Sequence, residues 1–202
     1  MRLIFALLVL PSLAHGQAKY AVYREGKRVG NVTITQKIRE DGTKLVQTSI
    51  DFGQAKVRME NTFDKDGTAI RKFMEMTGLV KRTVVATFDK AGANVVIDEK
   101  GKRETKQVSL VPNAPRANKS EFWFIRDLPV VGAESQSYVF SLDTLSWELM
   151  ATKYRGKATI SVAGKKTPAH YTTSGDMEAW LDGKGYPLLI IKGQTRFERL
   201  QD

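Results

Sequence analysis

Apolar and polar residues alternate along much of the chain with a period of two. Val57, Met59 and Phe63 fall on one side of such a segment, and Arg58, Glu60, Thr62 and Asp64 on the other. Val32, Ile34 and Ile38 oppose Thr33, Thr35 and Lys37 in the same way, and Val84, Ala86 and Phe88 continue the theme. Successive side chains of a strand point to opposite faces, so this period predicts strands with one apolar face over a core. Between the apolar segments lie tips of one style, "REDGTKL", "FDKDGTAI", "FDKAGANV" and "DEKGKRE". Asp before Gly suits the positive backbone angles that tight hairpins require. The segments between tips run to roughly 7 to 11 residues, strand length rather than helix plus loop. Short links in chain order pair neighbour with neighbour, which is a meander.

The middle changes character. "LVPNAPRANKS", from Leu110 to Ser120, has the prolines and asparagines of a connector. In "SEFWFIRDL", Ser120 suits a helix cap and Glu121 a first turn, while Phe122, Ile125 and Leu128 fall near one side. This reads as a short helix, with a strand as the alternative, and Pro129 ends it either way. Strand patterns then resume at Gln136 to Leu142, Trp147 to Arg155, Ala158 to Ala163, His170 to Ser174, Met177 to Leu181 and Pro187 to Lys192. The predicted fold is mainly all-β: one antiparallel meander forming a strongly curved sheet or open β-barrel, with one short helix. The same alternation builds either a cavity or a packed interior.

The start of the chain refines this picture. "MRLIFALLVLPSLAHGQA" has a positive residue at Arg2, a short apolar run from Leu3 to Leu10, and small residues suited to cleavage after Gly16 or Ala18. The run is far below the ~20 residues that span a bilayer. Residues 1–18 are therefore expected to be a cleaved signal peptide and residues 19–202 one domain, periplasmic or secreted. The chain has no cysteine. That excludes a lipid-modified cysteine, disulfides, thiol catalysis and cysteine-ligated metal.

Lys and Arg number 32 against 22 Asp and Glu, a formal charge of +10. The excess is spread over "GKR" at Gly26 to Arg28, "KGKRETK" at Lys100 to Lys106, "PRANK", "KYRGK" and "GKK". Solvated turns account for this pattern, and attraction to an anionic envelope component is the sharper reading. Nucleic acid is not an expected partner, because no recognition motif is present.

Candidate chemistry is sparse. Apart from His15 at the cleavage region, His170 is the one imidazole, which leaves no multi-histidine zinc site. No "GxSxG" elbow supplies it with a nucleophile, so His170 reads as a partly buried structural residue. Around Asp64 the calcium-loop glycine would have to stand where Ala69 does, so "DKDG" reads as a turn. Asp176, Glu178 and Asp182 resemble an ordinary surface strand and its turn, and "GKG" at Gly183 to Gly185 lacks the frame of a phosphate loop. No metal or cofactor is expected. The aromatics remain: Trp123, Phe124, Trp147, Tyr154, Tyr171, Trp180 and Tyr186 are the candidates to line a site for an apolar ligand on a concave sheet.

"YAVYREGKRVGNVTI", "LPVVGAESQSYVF" and the long run from "TKYRGKATISVAGKK" to "WLDGKGYPLLIIKG" resemble the exported bacterial domain-of-unknown-function 3108 family over roughly Lys19 to Leu200. The resemblance implies an exported, mostly antiparallel β protein and brings no catalytic residues. "LVPNAPRANKSEFWFIRD" departs from it, being shorter and more basic than the family's helical connector.

The expected function is that of a non-enzymatic envelope protein sheltering a hydrophobic or anionic amphipathic, lipid-like ligand, without stable membrane insertion. The alternative is an interaction module that binds an anionic envelope component or partner protein through its basic turns. A hydrolase built on His170 and a transmembrane barrel are the remaining rivals. The barrel lacks an aromatic C-terminal residue, since the chain ends "RFERLQD".

Overall fold

A computed structural model describes residues 15–65, 67–110, 130–183 and 185–200. Eight strands come first: β1 (His15–Arg24), β2 (Lys27–Ile38), β3 (Lys44–Asp51), β4 (Ala55–Phe63), β5 (Ala69–Gly78), β6 (Arg82–Phe88), β7 (Gly92–Glu99) and β8 (Lys102–Ser109). Six more follow: β9 (Glu134–Ser141), β10 (Ser146–Val162), β11 (Lys165–Ser174), β12 (Met177–Leu181), β13 (Pro187–Lys192) and β14 (Thr195–Arg199). The expected helix lies at residues 120–128, outside the described residues.

All fourteen strands form one antiparallel sheet in the order β8 to β1, then β14 to β9. Each half is a meander. The halves join where the last strand pairs with the first, Tyr20 opposite Arg199 and Val22 opposite Phe197. β8 and β9 are the two edges, so the barrel is open.

The inner faces collapse on one another. One core cluster takes Tyr20 and Val22 from β1, Met74 from β5, Val84 from β6, Phe140 from β9 and Tyr154 from β10. Phe88, at the end of β6, meets Phe140 and Trp147 with ring centroids 5.6 Å away in each case, and those two rings are 5.2 Å apart. Lys72 of β5 donates a 2.8 Å hydrogen bond to the Phe140 carbonyl oxygen. These strands are not neighbours in the sheet, so the contacts require it to roll over on itself. The expected curved meander is the observed one.

Two local departures from the sequence reading have clear causes. Ile38 is 37% exposed, while Gln36 is only 2% exposed. Ile38 pairs with Lys44 in the last rung before the turn, at the margin of the sheet. The segments expected at Trp147 to Arg155 and Ala158 to Ala163 form one long strand, β10, which ends at Val162 with Ala163 in the turn. A bulge separates the Tyr154–Thr172 pair from the Gly156–Tyr171 pair, and Gly156 has φ of 113°. One extra residue reverses which side chains face inward. Tyr154 therefore points into the main core, while Val162, beyond the bulge, joins Ala169 and Leu188 in a second small cluster with Ile160 and Trp180. The tip of the β10–β11 hairpin folds back toward β14, where the Ala163 amide donates to the Glu198 carboxylate at 2.9 Å.

Candidate functional site

The Asp–Gly tips are turns. The Asp64 carboxylate accepts the Thr68 amide, and Gly67 donates to the Asp64 carbonyl. Among the described residues no group of three or more His, Asp or Glu is placed to hold a metal ion.

A polar cluster does form on the inner face, toward the end of the sheet where β1 begins. The turn after β12 places it. The Asp182 amide donates to the Tyr186 carbonyl, and the Tyr186 amide donates back to the Asp182 carboxylate at 2.9 Å. This fixes Asp182 for a 2.8 Å contact with the Arg199 guanidinium, which also lies 5.5 Å from the centre of the Tyr186 ring. Tyr20 stands opposite Arg199 in the β1–β14 pair. On β11, His170 is paired with Leu181, and its Nδ1 is 3.2 Å from the Tyr154 hydroxyl.

The electrostatics tie these groups together. Burial pushes the Tyr20 phenol up, the Asp182 carboxylate and Tyr186 push the same way, and Arg199 opposes them. Burial and Asp182 likewise push the Tyr186 phenol up against Arg199. Both hydroxyls therefore stay protonated at neutral pH and act as hydrogen-bond donors. Yet the Tyr20 and Tyr186 hydroxyl oxygens are buried without a hydrogen-bond partner among the described residues. A buried hydroxyl left unpaired costs about 1–3 kcal/mol. The cluster thus holds two donors lacking acceptors beside an Asp–Arg ion pair, in the same packed core cluster as Val22, Ala179, Leu181 and Ile190.

His170 makes the cluster pH-sensitive. Burial holds its imidazole below the ordinary value, Lys157 adds to the depression, and Asp182 opposes it. The unfolded chain then takes up a proton that the folded protein resists. His170's contribution to stability is complete above about pH 6.5, and it is lost as the pH falls from there to the lower folded value. Glu60, whose carboxyl is lowered chiefly by the Gln47 hydrogen bond, acts only below 4.5 and does not enter this window. Urea midpoints at neutral and mildly acidic pH should differ in the native protein and differ less in His170→Gln. Equal differences in the two proteins would assign the slope to other groups.

The seven aromatic candidates are dispersed. Trp147 sits in the ring cluster with Phe88 and Phe140, half-buried and packed against the core. Tyr154 and Tyr186 both face the polar cluster. Tyr171 and Trp180 stack at 4.8 Å and 9° on the opposite face of the sheet, where the Tyr171 hydroxyl donates to Glu178 at 2.5 Å. Trp123 and Phe124 lie outside the described residues. The sequence does not single out Tyr20 and Arg199, and in it His170 reads as a partly buried structural residue and Asp182 as the start of a turn. The available signal was the alternation of Tyr20 and Val22, which puts Tyr20 on a core face.

No protein-family model matches the chain, and no curated protein matches it. Among solved structures it is similar to a beta-barrel-like protein of domain of unknown function DUF1849 from Brucella abortus. The match has a TM-score of 0.60 and 11% identity, and it covers 94% of this chain and 97% of the other. The resemblance to the domain-of-unknown-function 3108 family is therefore corrected: no family model supports it, and the solved structure that the chain is similar to is of a different domain of unknown function. The motifs behind that resemblance are a glycine turn and an apolar final hairpin, which many antiparallel sheets require. What the likeness at 11% identity carries is the fold, an open β-barrel-like antiparallel sheet.

Proposed function

We propose that this is an exported, non-enzymatic protein that binds an amphipathic, lipid-like ligand on its inner face, with the ligand's polar group against Tyr20, Tyr186 and Arg199. The observation that carries the reading is the pair of buried phenol hydroxyls without acceptors. A carboxylate, ester or phosphate oxygen that reaches them accepts from these donors, and its hydrocarbon tail enters by parting the packed inner faces that bury Val22, Leu181 and Ile190. Binding fits the cluster better than catalysis, because burial keeps both phenols protonated and so unavailable as bases. Arg199 is already neutralised by Asp182, which tempers the preference for a charged head group over a neutral polar one.

Export rests on the leader-like first 18 residues. Of the two cleavage positions, the one after Gly16 keeps Ala18, a core residue paired with Ile34, whereas cleavage after Ala18 removes it. The first is therefore the better fit to a stable β1.

Organic extraction and mass spectrometry of protein purified from its host without detergent test the binding reading. Recovery of a stoichiometric amphipathic molecule is expected. A well-folded protein that yields none would remove it.

A further inference from the structure

Tips at both ends of the strands carry Lys and Arg, among them Arg39, Lys65, Lys90 and Lys165 where β1 begins, and the two ends differ in what accompanies those cations. Where β1 begins, successive tips are closed by carboxylates that accept from their own turn: Asp41 from Thr43, Asp64 from Thr68, Asp89 from Ala91 and Asp182 from Tyr186. At the opposite end, the β1–β2 tip has Lys27 and Arg28, the β5–β6 tip Lys81 and Arg82, and the β7–β8 tip Lys100, Lys102 and Arg103. Carboxylates occur at this end too, but they are partly answered: Asp51 lies 3.7 Å from Lys56, and Glu99 lies 3.7 Å from Arg82. Lys81, Lys100, Lys102 and Arg103 make no ion pair among the described residues.

Two of these tips are bound side by side. Lys100 and Gly101 adopt φ of 54° and 80°, and the Lys100 amide donates to the Lys81 carbonyl at 3.4 Å. The β5–β6 tip itself presents two consecutive apolar residues to solvent, Leu79 at 73% exposure and Val80 at 38%. Single exposed apolar side chains are common on protein surfaces and need no explanation. A consecutive pair at the apex of a hairpin, next to Lys81 and to the Lys100 tip bonded to it, is a different arrangement. It matches the layering of an anionic bilayer surface, where phosphates meet ammonium and guanidinium groups and a shallow acyl boundary accepts short apolar side chains.

We infer that this rim docks the protein on the surface of an anionic lipid bilayer. Leu79 and Val80 enter the head-group layer while Lys81, Lys100, Lys102 and Arg103 contact lipid phosphates. A soluble polyanion would engage the same cations, but it offers no apolar layer for Leu79 and Val80. The rim lies at the far end of the strands from the Asp182 turn, so docking is independent of the inner-face ligand.

Flotation with unilamellar vesicles tests this. The native protein should float with vesicles of equal parts phosphatidylglycerol and phosphatidylcholine. It should stay down with pure phosphatidylcholine, and release the anionic vesicles at roughly 0.5 M salt. Leu79→Asp and the double variant Lys100→Glu/Lys102→Glu should each weaken partitioning about tenfold or more, with unchanged circular dichroism. Lys90→Glu, on the opposite end, should behave as native. Failure of the native protein to float with anionic vesicles overturns the inference. So does an unaltered Leu79→Asp whose charge variant alone is impaired, because that result assigns the rim to a soluble polyanion.

Discussion

Phe140→Ala should lower the free energy of unfolding by about 3–5 kcal/mol, the range for truncating a large buried side chain. Phe140 is 2% exposed and touches both Phe88 and Trp147. Its removal deletes two ring–ring contacts, each worth about 0.5–1.5 kcal/mol beyond burial, and leaves a void that the sheet cannot easily collapse to fill. The position matters as much as the size. Phe88 lies in the first meander while Phe140 and Trp147 lie in the second, so this cluster holds the two halves of an open sheet against each other. Phe73→Ala is the control. Phe73 is half-buried on the other face, between Arg58 and Arg71, and its loss should cost less than about 1.5 kcal/mol. Urea titration followed by tryptophan fluorescence reads both, since Trp147 reports on the cluster. Similar small losses for the two variants would mean that the halves are held elsewhere.

Tyr20→Phe and Tyr186→Phe should move stability and binding in opposite directions. Each deletes one buried hydroxyl with no partner among the described residues. In the ligand-free protein this relieves an unpaid desolvation of about 1–3 kcal/mol, so each variant should melt at a higher temperature than the native protein. Each also removes a donor that an amphipathic ligand needs. Titration with a fluorescent long-chain fatty acid should therefore show affinity reduced about tenfold per hydroxyl, which corresponds to ~1.4 kcal/mol. A hydroxyl with a purely structural role would give the reverse on both counts, a lower melting temperature and unchanged affinity.

Much of the fold was legible because it is encoded at short range. Asp-before-Gly tips and alternating apolar residues specify hairpins from a dozen residues at a time, and β12 and β13 run from Met177 to Leu181 and from Pro187 to Lys192 as their sequences suggest. What was not legible depends on long-range pairing or on a single inserted residue. Nothing local announces that Tyr20 will stand opposite Arg199, at the other end of the chain. The bulge around Arg155 broke the alternation, so β10 read as two strands, and it moved Ile160 and Val162 off the main core. The same limit explains the aromatic candidates. Tyr171 and Trp180 do share a face, but it is the outer one, and only the rolled sheet distinguishes the two. The polar cluster was hidden for a related reason: its members come from β1, β10, β11, β14 and the β12–β13 turn, and they become neighbours only when the sheet curves.

The most direct measurement is extraction and mass spectrometry of the native protein and the Tyr20→Phe/Tyr186→Phe double variant, purified side by side from the same host without detergent. The account predicts an amphipathic molecule bound to the native protein and strongly depleted in the variant, although the variant is the more heat-stable of the two. A native protein that carries nothing, or a ligand recovered equally from both, would contradict it.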